Sequence, residues 1–228
     1  MTDIPAASKT ITYNFIPCTD GDSNNYPVVQ IGTAKGTTDN SDPSADKGVQ
    51  TWMAENLMTT KFKDGTVIPE VTVGSEWYYL KSPAYCWFNN DASTYKADYG
   101  ALYNWYTVKT GNLCPTGWHV PGDAEWTTLV IYLGGEDFAG GKLKETGLEH
   151  WTFPNSGATN ETGFTALGAG YRESNGIFRA FKMDGHWWSA TEFNNSTAYQ
   201  LGVRSIDIDT SLSALGKYGG FSVRCLKD

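Results

Sequence analysis

Imidazole is the side chain best suited to proton transfer near neutral pH, and this chain has three, His119, His150 and His186. They lie far apart, so no HExxH or HxxxH pair presents two ligands from one helix face. His119 sits in the alternating run GWHVP and reads as a satisfied structural histidine rather than a base. Among nucleophiles, WWSATE brings Ser189 near Thr191 and Glu192, but no GxSxG elbow is present; a strand end with packed Trp and solvated Glu192 is the plainer reading. The carboxylates are scattered, and no spacing pairs two across a glycosidic bond. GGEDFAGGK lacks the GK[ST] ending and preceding strand of a phosphate loop.

Cysteine and metal chemistry are bounded in the same way. The four cysteines, Cys18, Cys86, Cys114 and Cys225, form no CxxC, which removes the signature of zinc ribbons and thioredoxin-like sites. Two disulfides in an oxidising compartment is the favoured expectation; four reduced, buried thiols is the alternative. The stretch DGDSNN offers Asp20, Asp22 and Asn24, but Asn25 and Ile31 stand where an EF-hand needs Gly and Glu. Asp39, Asp42 and Asp46, and separately Asn89, Asn90 and Asp91, are other oxygen sets that could ligate calcium. Hydrated acidic turns are the simpler reading, so no cofactor is expected and structural calcium is the alternative.

Binding chemistry has more material. In an extended strand Trp187 and Trp188 point to opposite sides, so one indole is expected in the core and the other outward. An outward ring near Glu192, Asn194 and Asn195, with Tyr171, Arg172, Glu173 and Asn175 nearby, would combine a flat apolar surface with the donors and acceptors that sugars need. Nine Trp must be placed somewhere, and burial of these aromatics is the competing reading.

These side chains need a frame. The chain has 228 residues, a net charge of −8 and 17 Lys+Arg, with no basic run, so a phosphate-tracking nucleic-acid surface is not expected. No apolar run is long enough to span a bilayer, and the opening MTDIPAASKT has no apolar signal region. Strands are predicted over 10–16 and PVVQIG, then a polar loop over 33–48, then a strand in VQTWMAENLMTTKF. Leu102, Trp105 and Tyr106 predict a short helix over 99–108. In CPTGWHVPGDAEWTTLVIYLGG, Pro121 ends an extended piece and Gly122 or Asp123 caps a helix. Glu125 reaches back to the open N–H groups. Trp126, Leu129, Val130 and Leu133 make its apolar stripe, and Gly134-Gly135 ends it. AGGKLKETG allows one more short helix. From about residue 150, short aromatic runs punctuated by glycine read as antiparallel strands. Helices early and strands late predict an α+β fold.

The motifs VQTWMAENL, AYCWFNND, YGALYNWYTV, CPTGWHVPGDAEWTTL, YLGG, GGKLKETG, ATNETGFTALGAGYR, WWSATE and SVRCLKD occur in the order of the Fibrobacter succinogenes major paralogous domain. The chain resembles that family over about residues 26–228, with residues 1–25 as an N-terminal extension and 33–48 as an insertion. Gly122 departs from the family's usual Ser or Thr, a small change at an N-cap. The family is similar to the C-type lectin-like fold, and HVPGDAEW resembles a helix start of formylglycine-generating-enzyme-type domains. The resemblance implies a framework disulfide between Cys114 and Cys225, with Cys18 and Cys86 either paired or separately buried. It also implies export, often with a lipid anchor, the leader having been trimmed, and no membrane insertion of the domain itself.

Family activities do not carry over. Cys225 has no nearby partner cysteine for formylglycine chemistry, the histidine cluster of iron sulfoxide synthases is absent, and so are the EPN or QPD and WND triplets of calcium-dependent lectins. The expectation is a non-catalytic surface domain binding glycan or a surface protein. A purely structural or interaction module and a divergent formylglycine-type enzyme are the alternatives. Trp118 and Trp126 are expected in the core, with Arg172 and Asn194 at the surface.

Overall fold

The computed structural model describes residues 18–32, 49–78 and 80–228. The expected strand over 10–16 and the insertion 33–48, with Asp39, Asp42 and Asp46, lie outside the described residues. The chain order is β1 (Val28–Ile31), β2 (Gln50–Met53), α1 (Gly74–Tyr78), β3 (Tyr85–Cys86), α2 (Ala92–Tyr99), β4 (Leu102–Tyr103), α3 (Trp105–Val108), β5 (Trp118–His119), α4 (Asp123–Tyr132) and α5 (Glu136–Leu143). It continues through β6 (Tyr171–Arg172), β7 (Phe178–Arg179), β8 (Asp184–Glu192), β9 (Thr197–Arg204), β10 (Thr210–Gly216) and β11 (Leu226–Lys227). The fold is α+β, helices early and the long strands late.

Helix α4 forms as its sequence predicts. The Gly122 N–H donates to Glu125 Oε2 at 2.7 Å, and the Asp123 N–H donates to Thr191 Oγ1 at 3.0 Å. Two of the open N–H groups of the first turn are thereby satisfied. Trp126, Leu129, Val130 and Leu133 are buried, and Gly134 and Gly135, both at positive φ, end the helix. The predicted helix over 99–108 is corrected. It divides into the end of α2, the two-residue strand β4 and the four-residue α3. Gly100 is the cause: it sits at φ 70, and a Cβ there would lie 2.8 Å from Asn56 Cβ and Leu57 O. The chain turns at that close approach, and Asn104 Oδ1 then accepts from the Thr107 N–H at 3.1 Å to start α3 afresh.

Two sheets organise the molecule. One runs β1-β2-β11-β5, so the last strand is inserted among early ones; the other runs β10-β9-β8. All pairings in both are antiparallel. The three-stranded sheet divides the core. On one face Trp187, Leu201 and Val203 join Trp126 and Leu129 of α4 and Leu143 of α5. On the other, Trp188 and Ala198 join Tyr103, Trp105 and Phe221. Alternation does send the two indoles to opposite sides, but both sides are covered, so neither indole reaches solvent.

One buried polar node joins the motifs of the sequence. Asn56 Oδ1 accepts from Trp187 Nε1 at 2.8 Å and from Arg224 Nε at 2.9 Å. Its amide nitrogen donates to Tyr99 O at 2.9 Å. Arg224 also donates to Phe164 O and, at 2.7 Å, to Thr165 O. Its guanidinium lies 4.2 Å from the Phe164 ring centroid. MAENL, GFTAL, WWSATE and SVRCL therefore meet at a single hydrogen-bonded point, where each polar group removed from water has a partner.

Cys114 and Cys225 are bridged, with Cα atoms 5.9 Å apart. Cys18 and Cys86 are free and buried, which corrects the expectation of two disulfides. Burial pushes both thiols up to about 12, with the Asp20 charge adding to the effect at Cys18. They pack as small apolar groups.

Candidate ligand-binding cleft

The three-stranded sheet is incompletely covered on its second face. Beside Trp188, residues His186, Gln200, Ser211, Ser213 and Leu215 project to the same side, because they occupy alternate positions in paired strands. Phe221 covers Trp188, with ring centroids 4.4 Å apart, but it does not extend over the whole row. The β6–β7 hairpin, tied to the sheet through the Gly170–Gly185 bridge, forms a wall opposite. Between them lies a cleft of about 540 Å³, lined by Tyr171, Glu173, Asn175, Asp184, His186 and Leu215 among others. A second cleft of about 340 Å³ adjoins it across His186 and Leu215 and continues over Gln200, Ser211, Ser213 and Asp209.

The cleft floor is aromatic and hydrogen-bonded. The Tyr171 ring meets His186 edge-on at 5.1 Å and Phe221 at 5.9 Å. Arg179 Nε pairs with Glu173 Oε1 at 3.3 Å, and Asn175 Nδ2 donates to Glu173 Oε2 at 3.0 Å. His186 Nδ1 is 2.9 Å from Gln200 Oε1, and Gln200 Nε2 donates to Ser213 Oγ at 2.8 Å. His186 Nε2 faces Asp184 Oδ2 at 3.9 Å. Burial raises the Tyr171 pKa, and the charges of Asp184 and Glu173 raise it further. Such an arrangement can offer a ring face and several acceptors to a polar ligand without moving backbone.

The residues expected to bind divide into three groups. Tyr171 lines the cleft. Arg172 borders it but is fully buried, with Nε, Nη1 and Nη2 donating to the carbonyls of Gly176, Val71 and Thr72 at 3.1, 2.5 and 2.8 Å. It also lies over the Trp77 ring. The expectation of a surface Arg172 is thereby corrected: its fork holds loops together and is buried away from any ligand. Trp187 and Trp188 are framework, as described above. Glu192, Asn194 and Asn195 sit at the β8–β9 turn and do not line the cleft. Glu192 pairs with the buried Lys217 and, at 3.6 Å, with Lys109. The Lys217 hydrogen bond holds its carboxyl below the usual carboxylate range. Asn194 is exposed, and its Oδ1 accepts from the Ser196 and Thr197 N–H groups at 2.8 and 2.9 Å, closing the turn.

From the sequence, His186 stands out only as one of three histidines, and neither it nor Asp184 or Gln200 is placed in a binding site. The signal was present in the alternation of GHWWSATE and AYQLGVR, which places His186 and Gln200 on the Trp188 face once the register is known.

The other titratable clusters are bound up in structure. His119 Nε2 lies 2.9 Å from Glu125 Oε1 and Nδ1 lies 2.7 Å from Asp228 Oδ1. Burial opposes its charged form, but the hydrogen bonds of Asp228 and Glu125 prevail and its pKa is raised. His150 meets Glu145 at 2.7 Å. Ser189 is buried, with Oγ accepting from the Thr191 N–H. Among the calcium candidates, Asp20 Oδ1 accepts from the Asp22 and Asn24 N–H groups at 2.9 and 3.0 Å. Asp22 pairs with Lys61 at 3.1 Å. Asp91 caps α2 through the Thr94 N–H at 3.2 Å, and Asn90 donates to Thr72 O at 3.1 Å. Among the described residues no group of three or more His, Cys, Asp or Glu is placed to hold a metal ion.

No curated protein and no solved structure matches the chain. The Fibrobacter succinogenes major domain matches residues 46–227. That span includes all four segments that meet at the Asn56–Arg224 node and both clefts, and the chain belongs to the Fibrobacter succinogenes major domain family.

Proposed function

We propose that the protein is an exported, non-catalytic recognition domain of C-type lectin-like architecture that binds glycan in the cleft beside β8. One observation carries this reading. An aromatic ring, Tyr171, stands in a cleft ringed by Glu173, Asn175, Asp184 and His186. Stacking on a ring with hydroxyl groups met by planar acceptors is the chemistry of sugar recognition. The architecture is supported by the pairing of β2 with β11 and by the Cys114–Cys225 bridge. The bridge also supports export, since disulfides persist in oxidising compartments. The structural partners of His119, His150 and Ser189 support a role without catalysis. A glycan array with the purified domain tests the reading. Binding should be lost in Tyr171→Ala while the melting temperature stays within a few degrees, and an array on which the two proteins behave alike refutes it.

A second reading, an interaction module of a surface assembly with no small ligand, is favoured by exposed apolar side chains. Phe153 is 82% exposed, and Met183 and Ile206 are also exposed. Their loops are joined by the Thr152 N–H to Lys182 O and the Ser205 N–H to Met183 O, both at 2.7 Å. Pull-down of a surface protein that is lost in Phe153→Ser but kept in Tyr171→Ala would select this reading.

A further inference from the structure

We infer that the cleft selects a donor-rich saccharide chain, uncharged or amino-bearing, and rejects chains carrying carboxylate or sulfate; the inference rests on the glycan reading above. Its basis is which polar groups remain free to meet a ligand. Asp184 flanks the Tyr171 ring as a carboxylate with no side-chain hydrogen bond among the described residues, whereas Glu173, paired with Arg179 and Asn175, keeps only the remaining lone pairs of its oxygens. Asp209 adds a third carboxylate in the adjoining cleft, and among the described residues it makes no hydrogen bond or ion pair. Gln200 is fixed beside them. Its Nε2 donates to Ser213, so its Oε1 accepts from His186 Nδ1. The other ring nitrogen, His186 Nε2, lies 3.9 Å from Asp184 Oδ2.

The cations nearby are all engaged. The Arg172 guanidinium is buried under three carbonyl contacts. Arg179 pairs with Glu173 at 3.3 Å, and Arg204 pairs with Asp207 at 2.5 Å. Asn175 donates to Glu173 and accepts from the Ile177 N–H, so its amide is also occupied. An anionic sugar is held best by a charged fork free of other carboxylates, and each arginine at the two clefts already faces a carboxylate or carbonyls. A net charge of −8 adds a repulsive field. Hydroxyl and ammonium groups meet the opposite situation, since every free carboxylate oxygen can accept from them. The two clefts share His186 and Leu215, so the ligand is an extended chain crossing His186 rather than a single terminal sugar.

Calorimetric titration with three tetrasaccharides, of chitosan, of cellulose and of polygalacturonate, at pH 6 and low salt, tests the inference. The chitosan tetramer should bind most tightly and the cellulose tetramer next, with no measurable binding of tetragalacturonate. Asp184→Asn should weaken the chitosan tetramer about tenfold, through loss of a charge-assisted hydrogen bond, and the cellulose tetramer much less. Asp209→Asn, in the adjoining cleft, serves as the second variant should Asp184→Asn melt early. Tetragalacturonate binding as tightly as the chitosan tetramer, or equal losses for both ligands in Asp184→Asn, overturns the charge selection while leaving the glycan reading standing. Silence with all three probes overturns the glycan reading and the inference together.

Discussion

Replacing Arg224 with Met should destabilise the domain by about 3–5 kcal/mol, and the structure shows where that comes from. The methionine keeps much of the apolar stem but removes the guanidinium. Asn56 Oδ1 retains Trp187 Nε1, so the amide is not orphaned. The carbonyls of Phe164 and Thr165 are in a different position. Each accepts from Arg224, and backbone oxygens cannot be replaced along with their partner. An unpaired buried polar group costs about 1–3 kcal/mol, and two of them, with the ring contact to Phe164 also lost, give the stated range. Relief from burying a charge offsets part of this. Burial pushes Arg224 down to about 9, against a smaller opposing effect of Glu55, so the side chain is still charged at neutral pH. Urea unfolding followed by tryptophan fluorescence reads the shift in midpoint, and an unchanged slope shows that the same surface is exposed. Arg224→Lys should recover only part of the loss, because an ammonium cannot serve the Asn56 amide and two carbonyls with the geometry of a planar fork. A loss below about 1 kcal/mol in Arg224→Met, or full recovery in Arg224→Lys, refutes the idea that this node holds the motifs together.

Two further outcomes are expected. His119 has a folded pKa raised above its unfolded value of about 6.5. Its contribution to stability is therefore complete below about pH 6.5 and is lost as pH rises through the raised folded pKa. Unfolding midpoints measured from pH 5.5 to 9 should fall across that window in the native protein and show a flatter profile in His119→Gln; parallel profiles would exclude a stabilising role for the His119 contacts with Glu125 and Asp228. Removing the disulfide as Cys114→Ala/Cys225→Ala opens a loop of sequence separation 111, for which the chain-entropy model gives about 4–5 kcal/mol. Equal unfolding midpoints with and without the bridge would show that the loop is held closed by other contacts in the denatured chain.

Local features were legible in the sequence because the interactions that fix them span few residues. The Glu125 cap, the Trp126–Leu133 stripe and the Gly134-Gly135 stop are all settled within one stretch, and α4 follows from them. The placing of Trp118 and Trp126 in the core followed from the same patterns, and the pairing of Cys114 with Cys225 from the family resemblance. The helix expected over 99–108 failed because its break depends on residues far away: Gly100 meets Asn56 and Leu57, and no window of sequence contains that contact. Alternation put Trp187 and Trp188 on opposite sides, but whether a side is wet is decided by what packs there. Here α4 and α5 cover one face and Tyr103 with Phe221 the other. Arg172 reads from its neighbours as a surface group; only the approach of Val71, Thr72 and Gly176 gives it three acceptors and removes it from solvent. The cleft has the same origin. It exists because Phe221, packed on both Trp188 and His186, leaves open space beside His186 and Leu215, and the distance over which one segment covers another is a property of tertiary packing, which local periodicity does not encode.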